Sequence, residues 1–224
     1  MMRLGGSVLP LTDVSNSSVA KGETLSDTVK CLQSYCDVLV LRHPQTGSVA
    51  LAADAADRIP VLNAGDGVGE HPTQSLLDLF TITQKLGAVD GLTVTMLGDL
   101  KNGRTVHSLA KLLAKFTNVT VNYVSPDSLR MPAELVASLA AAGLKQTESA
   151  SLDAATMGAT DVLYVTRVQK ERFATPEAYQ AVANSFVVDA RTMANAKEVW
   201  LHWAESASLS LFACFIDSVV LIFP

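Results

Sequence analysis

Along most of the chain, short continuous apolar runs alternate with stretches whose apolar positions recur every three to four residues. Leu25, Val29, Leu32 and Cys36 keep helical spacing and predict a helix over 24–36. Residues 37–41 follow as Asp-Val-Leu-Val-Leu, a run that suits a strand covered on both faces. A helix over 47–57 and a strand over 60–63 come next. Pro72 stands where a helix would begin, Leu76 and Phe80 fit its face, and Gly87 fits its stop. A strand is expected at 92–97, then a helix on Val106, Leu109, Leu113 and Phe116, then a strand at 119–124. Pro132 and Gly143 bracket another helix. A strand at 161–165, a helix over 171–184 and a strand at 186–188 complete the pattern. Strand–helix alternation implies right-handed crossovers and parallel strands. The expected fold class is therefore α/β: two lobes, each with a parallel sheet flanked by helices, joined by an interlobe helix beginning at Pro72.

From Trp200 onward this pattern stops. Residues 207–224 are apolar but short for a membrane span, and they contain Asp217. A central Asp costs roughly 2.5–3.5 kcal/mol on insertion scales, so no membrane association is expected. The chain has 224 residues, enough for a sizeable core. Apolar residues make up 49% and charged residues 17%, which argues against disorder and coiled coil. A net charge of −5 disfavours a dedicated nucleic-acid binder. Three cysteines, Cys31, Cys36 and Cys214, show no CxxC spacing, so neither a disulfide scaffold nor a zinc site is indicated. The opening MMRLGGSVLP lacks the apolar core of a signal peptide, and the expected location is the cytoplasm.

In open parallel sheets, ligands sit beyond the carboxyl ends of the strands. Those positions hold Arg42-His43, Asn63-Ala-Gly-Asp-Gly67, Gly98-Asp-Leu-Lys-Asn-Gly-Arg104, Ser125-Pro126 and Thr166-Arg-Val-Gln169. Arginine recurs in three of them, which points to an anion-binding cleft. His71 opens a helix, where the dipole disfavours added positive charge; a neutral imidazole there can donate to a carbonyl oxygen, or simply pack. Gln74 lies one turn on and offers both a donor and an acceptor. Arg104 sits at another helix start, an unfavourable place for a cation unless an anion shares it, although a solvated loop arginine would look the same. His107 reads as structural. Gly65-Asp-Gly-Val-Gly69 departs from the GxGxxG dinucleotide pattern and reads better as a tight strand-to-helix turn.

Taken together, certain segments closely resemble the catalytic chain of the aspartate carbamoyltransferases. They are Lys21-Gly-Glu-Thr-Leu25, Leu41-Arg-His-Pro44, Asn63-Ala-Gly-Asp-Gly67, His71-Pro-Thr-Gln74 with Leu76-Leu-Asp78, Gly98-Asp-Leu-Lys101, Gly103-Arg-Thr-Val-His-Ser-Leu109 and Tyr164-Val-Thr-Arg-Val-Gln-Lys-Glu171. Gly67-Val-Gly-Glu70 ahead of His71 is most like the domain within multifunctional pyrimidine-synthesis proteins. The Thr-Arg-Val-Gln-Lys-Glu motif separates this pattern from the ornithine-specific relatives. The resemblance implies transfer of the carbamoyl group from carbamoyl phosphate to the α-amine of L-aspartate, with no cofactor. Arg42 would hold the phosphate and carbonyl, and His71 and Gln74 the carbamoyl end. Arg104, Arg167 and Gln169 would hold the aspartate carboxylates. Ser17 and Lys21 would reach the active site of a neighbouring subunit, so that the unit is a homotrimer with shared sites. The implied domains are a carbamoyl-phosphate-binding lobe at 1–71, a linking helix at 72–87, an aspartate-binding lobe at 88–199 and a non-family apolar tail at 200–224.

Two departures accompany the match. The family's Ser-Thr-Arg-Thr-Arg phosphate loop has no counterpart before Arg3-Leu-Gly-Gly6, and its His-Pro-Leu-Pro-Arg loop has none after Ala196-Lys-Glu-Val199. The chain is therefore expected to be truncated at both ends and weakly active or inactive. The alternative is a non-catalytic subunit that joins full-length trimers.

Overall fold

The computed structural model describes residues 1–11, 18–67, 69–166, 168, 175–180, 182, 188–197 and 218–222. By internal contacts the chain divides into Met1–Glu70 and His71–Pro224.

In the first unit, α1 (Leu25–Leu32) starts at Thr24, whose Oγ1 accepts from the Asp27 backbone N–H at 3.2 Å. That bond satisfies one of the donors a helix start leaves open. Strand β1 (Leu39–His43) leads through α2 (Ser48–Ala55) to β2 (Val61–Asp66), and the two strands pair in parallel with Leu39 opposite Val61. Buried Asp66 at the end of β2 accepts from the N–H groups of Gly47 (2.8 Å) and Val49 (3.3 Å) at the start of α2. A carboxylate suits the positive end of a helix dipole, so one side chain ties this strand end to that helix. Gly67 (φ 57°) must be glycine: a Cβ there would come within 2.5 Å of Thr46 Oγ1.

The second unit begins with α3 (Pro72–Leu86), which ends at left-handed Gly87. Then follow β3 (Thr93–Leu97), α4 (Arg104–Leu113), β4 (Thr120–Val124), α5 (Ala133–Ala141), β5 (Lys145–Ser149), α6 (Ala154–Ala159) and β6 (Val162–Thr166). Short helices α7 (Pro176–Gln180) and α8 (Ala190–Met193) precede β7 (Ser218–Ile222). The sheet order is β5-β4-β3-β6-β7, with every pairing parallel except β6–β7. Val94, Met96, Tyr123, Val162 and Tyr164 project from one face against Ile82 of α3, Leu109 and Leu113 of α4 and Leu139 of α5. Leu97, Val124 and Leu163 project from the other face against Met157 of α6 and Met193 of α8. Coverage on both faces explains why β6 reads as a nearly continuous apolar run, while β3 and β4 place Thr95 and Asn122 among their apolar residues.

Polar residues cross the second face in a connected row. Thr147 Oγ1 donates to Asn122 Oδ1 (2.7 Å), and Asn122 Nδ2 donates to Thr95 Oγ1 (3.2 Å). Thr95 and Thr160 hydroxyls lie 2.6 Å apart, and Thr160 Oγ1 donates to the Thr156 carbonyl at 2.7 Å. Because the single Thr160 proton goes to Thr156, Thr95 must be the donor to Thr160.

Several expectations shift. Strands β5 and β7 and helix α6 were not foreseen. The second sheet is not purely parallel, because its edge strand β7 runs antiparallel to β6. That strand comes from the segment expected to be a tail outside the pattern. Of the helix expected over 171–184, Pro176–Gln180 is helical, and its remaining residues, save Thr175 and Val182, lie outside the described residues. Of the strand expected at 186–188, only Val188 is described; it is not in a strand and packs beside Leu97 and Met157.

Candidate functional site

Parallel strands deliver their ends to one edge of each sheet. In the first unit Arg42 is the penultimate residue of β1, and its side chain is exposed. It makes no ion pair among the described residues. The chain beyond it is held in a tight turn. His43 Nδ1 accepts from the Gln45 N–H at 3.1 Å, and the His43 carbonyl accepts from Gly67 N at 2.9 Å. Lys21 closes a short 3-10 helix, Ser18–Lys21, and is exposed; Ser17 lies outside the described residues.

In the second unit His71 caps α3, and Pro72 occupies the first helical position, where its missing N–H costs nothing. The His71 backbone N–H donates to Ser108 Oγ of α4 at 2.8 Å, which anchors this helix start to its neighbour. Thr73 Oγ1 lies 3.3 Å from His71 Nδ1. One turn on, Gln74 Nε2 donates to Asp78 Oδ1 at 2.9 Å. The other carboxylate oxygen of Asp78 accepts from the Tyr164 hydroxyl of β6 at 2.9 Å. Asp78 is 4% exposed. Burial pushes its pKa up to about 6, against the lowering pull of the hydrogen bonds from Gln74 and Tyr164.

Arg104 is the first residue of α4 and half-buried. The loop that presents it is over-determined. Buried Asp99 accepts from the backbone and side-chain nitrogens of Asn102, at 2.9 to 3.2 Å. Gly103 leaves no room for a Cβ, which would sit 2.5 Å from the Asp99 carbonyl oxygen. His107 Nε2 donates to the Leu100 carbonyl at 2.7 Å, so this buried imidazole braces the loop and is structural as expected. Arg167 and Gln169 lie outside the described residues. The strand that leads to them ends at Thr166, whose hydroxyl lies 3.2 Å from the Leu97 carbonyl and 3.3 Å from that of Asp99. The ends of β3 and β6 are thereby locked side by side.

Each described candidate residue thus sits at a strand end or a helix start: Arg42 in the first unit, His71, Gln74 and Arg104 in the second. A shallow depression between α1 and α2, lined by Ser26, Lys30, Gln33 and Asp54 among others, holds none of them. Among the described residues no cluster of His, Cys, Asp or Glu side chains is placed to hold a metal ion. No helix among the described residues is long and apolar enough to cross a membrane. Ser108 and Asp78 were given no role from the sequence alone. The i,i+4 spacing of Gln74 and Asp78 was the available signal for the second, since Gln–Asp pairs at that spacing meet on a helix surface.

Two family models match the chain. The carbamoyl-phosphate-binding domain of aspartate/ornithine carbamoyltransferase covers residues 1–84, and the aspartate/ornithine-binding domain covers 90–202. The chain belongs to the aspartate/ornithine carbamoyltransferase family. Among its relatives, the multifunctional protein pyr1-3 of Dictyostelium discoideum is 54% identical over 198 residues, which are 88% of this chain and 9% of that protein. The aspartate carbamoyltransferase catalytic subunit of Thermococcus kodakarensis is 52% identical over 88% of this chain and 63% of its own length. Aspartate transcarbamoylase of Trypanosoma cruzi solved with carbamoyl phosphate is 47% identical, with a TM-score of 0.80 over 88% of this chain and 63% of that one. The same enzyme with N-(phosphonacetyl)-L-aspartate is 48% identical at the same TM-score and coverage. The chain therefore spans slightly under two thirds of the single-function carbamoyltransferases that it matches.

Proposed function

We propose that this chain carries out, or contributes to, carbamoyl transfer from carbamoyl phosphate to the α-amine of L-aspartate, giving N-carbamoyl-L-aspartate and phosphate in pyrimidine synthesis. The supporting observation is the placement of arginine, histidine and glutamine at strand ends and helix starts in a chain 47–48% identical to a transcarbamoylase solved with these ligands. Arg42 would bind the phosphate and the carbonyl oxygen. His71 would donate to the carbamoyl oxygen as negative charge develops there, and Gln74 would bind the carbamoyl nitrogen. Arg104, with Arg167 and Gln169, would hold the two carboxylates. The neutral amine attacks the carbamoyl carbon, a tetrahedral intermediate forms, one amine proton passes to a phosphate oxygen, and phosphate departs with that proton and the electron pair of the C–O bond. Positioning and charge stabilisation supply the rate. Ser17 and Lys21 would serve the site of an adjoining subunit, which makes a homotrimer in the cytoplasm the working assembly. Domain roles follow the same division, carbamoyl phosphate on 1–71 and aspartate on 88–199, joined by the helix at 72–87, with the segment from 200 onward outside the family pattern.

Calorimetry with N-(phosphonacetyl)-L-aspartate tests this. The chain should bind it, and Arg104→Ala should weaken binding about 100-fold or more, as expected for loss of a charge-assisted bidentate contact. Equal binding by both proteins would remove Arg104 from the site.

A further inference from the structure

Three side chains of the second unit form a hydrogen-bonded chain that runs from the core to half-buried Gln74. Tyr164, fully buried on β6, donates through its hydroxyl to one oxygen of Asp78, and Gln74 donates through Nε2 to the other. A carboxylate can only accept hydrogen bonds, so the Gln74 atom facing Asp78 must be nitrogen. An amide held by nitrogen leaves its oxygen as the outer end. A carbamoyl group presents an NH2, which needs an acceptor. An unconstrained glutamine could turn either end outward at nearly equal energy.

We propose that Asp78 is a positioning residue that fixes the polarity of the Gln74 amide, so that Oε1 is the end offered to the carbamoyl nitrogen, and that Tyr164 in turn fixes Asp78. This rests on the carbamoyl-transfer reading for what Gln74 contacts; the Asp78–Gln74 coupling itself does not. Asp78 carries no catalytic proton and touches no substrate. Its influence passes through Gln74 alone. Ionisation matters because a protonated Asp78 would offer an O–H, against which Gln74 could turn its oxygen inward. Burial raises the pKa of Asp78 to about 6, and among the described residues the hydrogen bonds from Gln74 and Tyr164 oppose it. Among the described residues no charged side chain adds to these causes. The amide is therefore locked at neutral pH and released in mildly acidic solution.

Two readouts on the full chain test the lock. In nuclear magnetic resonance the Gln74 side-chain NH2 signal, assigned by its loss in Gln74→Leu, should titrate with a midpoint near 6. That titration should vanish in Asp78→Asn and move to higher pH in Tyr164→Phe, which removes one of the two donors stabilising the carboxylate. In calorimetry Asp78→Asn should weaken carbamoyl phosphate binding about 10-fold, the worth of one well-made hydrogen bond, while inorganic phosphate binding changes less than about 2-fold because phosphate has no NH2. The double variant Asp78→Leu with Tyr164→Phe removes both buried partners together and keeps the volume filled, so it supplies a folded protein with a released Gln74. A Gln74 signal that does not titrate, or variants that lose carbamoyl phosphate and inorganic phosphate equally, would overturn the lock. If the unaltered chain binds no carbamoyl phosphate, the carbamoyl-transfer reading fails, and the Gln74 titration alone decides whether Asp78 sets the amide.

Discussion

Single atoms decide much of the geometry at the strand ends. Gly98 has φ 116°, a conformation that side chains rarely adopt, and a Cβ there would run into the Thr166 carbonyl. The ends of β3 and β6 can lie side by side only if this position carries no side chain. Gly98→Ala therefore meets both backbone strain and a collision with a backbone atom that cannot move alone. We expect a loss of at least about 2 kcal/mol in denaturant unfolding, at the upper end of ordinary single substitutions. Gly87→Ala, at a helix end with open space around it, removes only the conformational advantage of glycine and should cost less. Such a difference could not be read from the sequence, where both are glycines after an apolar stretch; the neighbour that makes Gly98 indispensable comes from 68 positions downstream.

At the scale of elements, the row Thr147–Asn122–Thr95–Thr160 links β5, β4, β3 and the C-terminal cap of α6 on one face. Thr95→Val keeps the shape but takes from the Asn122 NH2 its acceptor and from the Thr160 oxygen its donor, both in a buried layer. The expected cost is about 1–3 kcal/mol. In Thr95→Val with Asn122→Leu, where the polar groups leave together, the loss should be less than the sum of the two single losses, a difference that a double-mutant cycle of thermal unfolding measures. The strands that form this row were unevenly legible. β6 is covered on both faces and announces itself as an apolar run, and β3 and β4 remain legible although Thr95 and Asn122 interrupt them. β5 is Lys-Gln-Thr-Glu-Ser, an edge strand with only half-buried inward positions, and hydrophobic pattern carries no trace of it. α6 was missed although Asp153 is a serviceable cap, accepting from Thr156 N at 2.7 Å, because five small residues around a single Met157 give no apolar period. β7 pairs with β6 through its backbone, and an antiparallel strand arriving from outside the α/β repeat breaks the rule used to predict the rest. Of the candidate residues, the strand-end rule and the motifs together named Arg42, His71, Gln74 and Arg104, and each lies at a strand end or near a helix start. The supports Ser108, Asp78 and Tyr164 come from other elements or other turns and needed coordinates.

For the molecule as a whole, the same buried carboxylate sets a pH dependence of stability. Asp78 has a folded pKa of about 6 against an ordinary value of 3.8. The folded state therefore holds a proton that the unfolded state has released between those values, and stability falls as pH rises through that window. The difference corresponds to about 3 kcal/mol lost between pH 4 and pH 7. Asp90 and Asp153 act in the opposite sense. Hydrogen bonds from Thr117 and Thr156 hold them below the usual range, so their contribution is present at neutral pH and lost as the solution becomes strongly acidic. Chemical unfolding at several pH values should show the Asp78→Asn protein gaining on the unaltered chain as pH rises from 4 to 7. A constant gap between the two would show that Asp78 is not the group responsible.

The row of polar groups across the second sheet has a sense as well as a position. Thr160 spends its proton on a helix carbonyl, so each link behind it must point the same way, from Thr147 on the solvent side toward α6. Reversing one hydroxyl would set two hydrogens or two lone pairs face to face somewhere along the line. The layer consequently behaves as a single switchless unit: its last acceptor is a carbonyl, which has no proton to give back, so the row keeps one sense and the strands it joins share it.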